Sequence, residues 1–125
     1  MIAAVAALGA ATPAFAISNP IVANFQPVGG SKVQGNATFF QLGANVNVGV
    51  NLTSDPAGAN ALDLRKGSCK SYAAEATWPL GTIDGTSSQE SLPKTKLASL
   101  VGEIILIHRT KELSSPPIAC AEIKG

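Results

Sequence analysis

Two stretches of this chain alternate between apolar and polar side chains, residue by residue. In residues 32–41, Val33, Gly35, Ala37 and Phe39 fall on one face, and Gln34, Asn36 and Thr38 on the other. In residues 45–52, Val46, Val48, Val50 and Leu52 share a face, with Asn45, Asn47 and Asn51 opposite. Successive side chains of an extended chain point to opposite sides, so the pattern predicts strands with one wet face. Leu42-Gly43-Ala44 joins them as a hairpin. Shorter pieces read the same way. Residues 22–25 form a brief apolar strand, closed by the turn Pro27-Val28-Gly29-Gly30. Residues 61–66 set Leu62 and Leu64 inward, with Asp63 and Arg65 outward. Residues 67–82 look irregular, and 87–92 look like a strand. Residues 97–102 read as a helical turn or loop that leads into a strand over 103–108. The last strand, 118–123, follows Pro116-Pro117. No stretch holds a helical period. Short strands punctuated by Gly and Pro predict an all-β sandwich or barrel.

The N-terminus departs from this pattern. Residues 2–11 are almost wholly apolar, and Ala14-Phe15-Ala16 fits the small-x-small site that signal peptidases cut. Residues 1–16 are therefore expected to be an export signal of bacterial type, and residues 17–125 a single domain. The apolar run is short for a membrane span and Pro13 interrupts its end, so no span is expected in the mature chain. A secreted or periplasmic protein with two cysteines, Cys69 and Cys120, is expected to carry a disulfide, with two buried free thiols as the alternative. There is no CxxC motif, which argues against a redox-active pair or a zinc knuckle.

Composition removes several function classes. The net charge of +1, with 14% charged residues, leaves no basic stripe to neutralise phosphates, so a nucleic-acid partner is not expected. Ser, Asp and His all occur, but no G-x-S-x-G elbow does, which disfavours a hydrolytic triad. Asn36-Ala37-Thr38 and Asn51-Leu52-Thr53 match the glycosylation acceptor pattern but lie inside predicted strands. The chain has one histidine, His108.

Five segments, in order, resemble the copper/zinc superoxide dismutase family. They are Gly35-Asn36-Ala37-Thr38-Phe39, the run from Leu62 to Cys69, Asp84-Gly85-Thr86, the run from Val101 to His108, and the run from Ile118 to Ile123. The resemblance implies a Greek-key β-sandwich or barrel of eight strands. It also implies a disulfide tying a loop to the last strand, here Cys69 to Cys120. The metal ligands it would imply are largely missing. Alternate residues share a strand face, so an H-x-H pair would point two imidazoles at one metal. Asp63 and Arg65 stand at that pair, Asn60 near an upstream site often filled by histidine, and Pro117 where the family has an arginine. Only His108 matches a ligand.

One imidazole does not make a tetragonal copper site. His108 is therefore expected to be a partly buried strand-end histidine bonded to backbone or to Asp63. Asp63 and Arg65 are expected to form either an anion or metal site or, equally, an exposed ion pair worth under about 1 kcal/mol. The resulting expectation is an exported, superoxide dismutase-like domain without dismutase activity or bound cofactor. It would serve as a structural or interaction module for an unidentified protein or surface partner. Two alternatives remain. One is a weak copper or zinc protein, or a residual superoxide dismutase, built on His108 and Asp63, with Glu122 as a further ligand. The other is a subunit of a cell-envelope or surface assembly.

Overall fold

The alternating residues form the expected hairpin. In the computed structural model, which describes residues 19–125, β2 (Gly35–Leu42) and β3 (Asn45–Leu52) pair antiparallel. Phe39 opposes Val48, and Ala37 opposes Val50. All four are buried, so the register is set by the apolar face. The turn is only Gly43-Ala44, with Gly43 at a φ of +61°. Gly35 opens β2 with a φ of +148°, and a Cβ there would drive into the Asn51 carbonyl. Gly35→Ala is therefore expected to lower stability by about 1–3 kcal/mol, measured as a shift in the urea midpoint.

The remaining strands are β1 (Ile21–Pro27), β4 (Ala59–Ser68), β5 (Ser71–Tyr72), β6 (Trp78–Asp84), β7 (Ser87–Leu92), β8 (Glu103–His108) and β9 (Pro117–Glu122). A 3-10 turn, Leu97–Leu100, precedes β8. Every strand pairing among the described residues is antiparallel, and the sheet order is β5-β4-β8-β9-β1-β2-β3-β7, with β6 also on β4. The sheet curls into a half-barrel, so that β6 and β7, at its two ends, approach each other where Gly81 nears the Glu90 carboxylate. The chain then returns past both, and β8 lies beside β4. The interior holds Phe39, Leu62, Leu64, Ile83, Ile105 and Ile107, all fully buried.

Two features depart from expectation. The segment 67–82 contains β5 and β6 rather than an irregular loop. Pro79 and Gly81 hide β6, because Pro lacks a donor and Gly81 takes a φ of +79°. Between the pairs Ala61↔Thr82 and Asp63↔Pro79 the register slips, and the bulge breaks the alternation. The second departure is β4, which is buried on both faces from Asn60 to Arg65. Leu62 and Leu64 do face the core, but Asp63 and Arg65 are covered rather than wet. The chain around Ala73–Ala74 and Leu113 supplies the carbonyls that meet Arg65 on that outer face. Residues 1–16, expected to be a signal, lie outside the described residues.

Candidate functional site

Asp63 and Arg65 project from the outer face of β4, two residues apart. β8 runs alongside, with Leu106 opposite Asp63 and Ile104 opposite Arg65. His108 ends β8 on the same outer side, after a register slip that sets it opposite Pro117. The three polar side chains meet. Arg65 Nε donates to Asp63 Oδ2 at 2.9 Å, and His108 Nε2 lies 3.1 Å from Asp63 Oδ1. Both carboxylate oxygens are thus used.

Arg65 is engaged well beyond this pair. Its Nη1 donates to the Ala74 carbonyl at 2.9 Å, and its Nη2 to the Leu113 carbonyl at 3.1 Å. Its guanidinium carbon sits 5.8 Å from the Tyr72 ring centre, within cation–π range. The expected exposed ion pair is therefore a buried one, with side-chain exposures of 9% for Arg65 and 0% for Asp63. The difference changes the energetics, because removing one partner of a buried pair leaves an uncompensated charge.

His108 is buried, and both of its ring nitrogens face acceptors. Nδ1 lies 2.7 Å from the Ser115 carbonyl oxygen, and Nε2 faces the Asp63 carboxylate. A neutral imidazole has one N–H and would leave one of these contacts without a hydrogen. The geometry favours the imidazolium. Burial pulls its pKa down, but the hydrogen bonds to Asp63 and Ser115 and the Asp63 charge outweigh this, and the net shift is upward from 6.5. The resulting stability is fully present below the unfolded value, near pH 6.5, and is lost as pH rises through the folded value. Thermal unfolding should show a midpoint that falls over this range in the wild type and loses this component in His108→Gln. Because the chain has one histidine, its single imidazole proton resonance should titrate above 6.5.

The other expected site residues lie elsewhere. Asn60 is two residues before Leu62 and so shares the inward face rather than that of Asp63. Its Nδ2 donates to the carbonyls of His108 and Arg109, at 2.9 and 3.0 Å. Glu122 cannot join His108, because it opposes Ile104 while His108 opposes Pro117 at the far end of the pairing. Glu122 instead accepts from the Cys69 backbone N–H at 3.0 Å, which lowers its pKa. Cys69 and Cys120 form a disulfide with a Cα separation of 5.9 Å. It packs with Ile104, Leu106, Val28 and Tyr72 in a small apolar cluster on the outer face. Asn36 and Asn51 lie within β2 and β3, as expected.

Sequence reasoning missed Tyr72 and the carbonyls of Ala74, Leu113 and Ser115. Backbone acceptors leave no mark on a sequence, so only the buried arginine itself could have signalled them. Among the described residues, no three His, Cys, Asp or Glu side chains are grouped to hold a metal ion. The His108 Nε2 and the Arg65 guanidinium both face the Asp63 carboxylate, an arrangement that weighs against a cation between them. No family model matches the chain, and no curated protein matches it.

Proposed function

We infer that this chain is an exported, superoxide dismutase-like domain that performs no dismutase chemistry and acts as a structural or interaction module. The strand order supports the fold assignment. β8 returns to lie beside β4 after β6 and β7, which is the return of a Greek-key connection. The Cys69–Cys120 bridge between the β4–β5 turn and β9 agrees with the tether the resemblance implies. A disulfide also suits an oxidising compartment, and no helix among the described residues is long and apolar enough to cross a membrane.

The Arg65 guanidinium carries the functional half of this conclusion. It lies on the strand face where the resemblance would place a histidine pair, and it is bound to Asp63 and to two loop carbonyls. An internal organic cation thus does the work of ordering the loops on that face, and its charge disfavours a metal cation beside it. A copper or zinc ion on His108 Nε2 and Asp63 Oδ1 would have to part the His108–Asp63 contact and sit beside the Arg65 guanidinium.

Elemental analysis of protein purified from its own extracellular compartment tests this directly. Less than about 0.1 equivalent of copper and no superoxide turnover are expected; stoichiometric copper with turnover would refute it. Engineering offers the converse test. Asp63→His with Arg65→His would set three imidazoles, including His108, on one outer face, and this double variant should bind copper more tightly than wild type. No gain in a folded double variant would count against the dismutase-like register.

A further inference from the structure

Away from the outer-face cluster, the end of the half-barrel near Asn60 holds a cavity of about 270 Å³. Loops following β1, β3 and β8 converge on it. Val33 and Ile118, both core residues, form part of its floor. Lys32, Ser54, Asp55 and Arg109 are exposed residues of its lining. Neither Lys32 nor Arg109 has an ion-pair partner among the described residues. Asp55 is the one carboxylate, and its Oδ1 accepts the Ala57 backbone N–H at 2.7 Å.

Asn60 supplies the second observation. It is 1% exposed, and its Oδ1 has no hydrogen-bond partner. The amide cannot simply be reversed, because Nδ2 already donates to two carbonyls and an oxygen there would face oxygen. A buried acceptor without a donor is costly, and native proteins rarely leave one. Asn60 belongs to the lining, so the cavity brings two cations without ion-pair partners among the described residues to a residue whose acceptor lacks a proton donor. A fully ionised anion satisfies the cations but not Asn60, and a neutral alcohol does the reverse.

We propose that this pocket binds a small oxyanion that carries its own proton, of the hydrogen phosphate or hydrogen carbonate class. Its charged oxygens accept from Arg109, Lys32 and the Ser54 hydroxyl, while its O–H donates to Asn60 Oδ1. Barrel mouths are a common place for such sites. The site is independent of the dismutase-like assignment, since none of its residues belongs to the outer-face cluster.

Calorimetric titration of the full chain at pH 7 with inorganic phosphate, hydrogen carbonate and sulfate tests the proposal. Sulfate matches phosphate in shape but offers no proton. At least one of the two protonated anions should bind at least about tenfold more tightly than sulfate, the loss expected for one hydrogen bond in a charged complex. Which of the two binds identifies the source. Arg109→Gln, an exposed change that leaves the core untouched, should weaken binding, and Asn60→Leu should remove the preference over sulfate. Binding of neither protonated anion, or equal binding of sulfate, would overturn the proposal. If Asn60→Leu does not fold, the comparison of anions on the wild type still decides.

Discussion

Asp63→Ala is expected to destabilise the domain by about 3–5 kcal/mol, the usual cost of stranding the partner of a buried ion pair. Two groups lose their counter-charge at once. Arg65 would keep its bonds to the Ala74 and Leu113 carbonyls but would sit in the same buried place without a carboxylate. His108 would lose the hydrogen bond and the charge that favour its protonated form. Its imidazole should then titrate lower than in the wild type, and the pH dependence described above should shrink. Urea unfolding measures the first effect, and the imidazole proton resonance measures the second. A cost below about 1 kcal/mol would mean that the pair behaves as a surface pair and that the outer face of β4 is wet. Asp63→Asn separates charge from hydrogen bonding, since it keeps one acceptor oxygen for Arg65 and removes the charge.

Cys120→Ala should cost about 2–5 kcal/mol, the range for removing a native disulfide from a small domain. The bridged residues are 51 apart in sequence. Closing a loop of that length removes about 4 kcal/mol of chain entropy from the unfolded state in the usual model. The native state loses packing as well, because Cys120 is 2% exposed and touches Ile104 and Leu106. Unfolding in urea with and without a dithiol reductant is the direct check. If reduction of the wild type leaves the midpoint unchanged, the bridge contributes nothing. If Cys120→Ala costs clearly more than reduction, the excess reports the side chain lost from the outer cluster. The glycine substitution at Gly35 acts on the far hairpin and should add to either effect nearly independently.

The hairpin was written in the sequence because one face of it is wet. Val46, Val48, Val50 and Leu52 alternate with asparagines, and water on one side is what makes that alternation visible. The strand at 103–108 and the one ending near Glu122 were visible for a different reason: continuous apolar runs between turn residues leave few alternatives. The cysteine pair was expected from their number and from the export signal read in residues 1–16, and the structure joins them. These are local or compositional signals, and they fixed the all-β class and most strand positions.

The tertiary structure decided the rest. A strand covered on both sides shows the same alternation as one with a wet face if the second cover is polar, and β4 is such a strand. Asp63 and Arg65 read as solvent-facing because charged residues usually are. They are buried because chain segments from other parts of the sequence close over them with backbone carbonyls, which carry no sequence signature. Asn60 depended on the parity of a strand paired with a bulged neighbour, and the count of residues from Leu62, not its chemistry, turned it into the barrel end. The His108 ring contacts likewise required Asp63, from a distant strand, and the Ser115 carbonyl of the following loop to arrive at one point. Sequence determined which residues could form strands; the meeting of those strands determined which polar groups would be trapped between them, because burial is a property of what lands on a surface rather than of the surface itself.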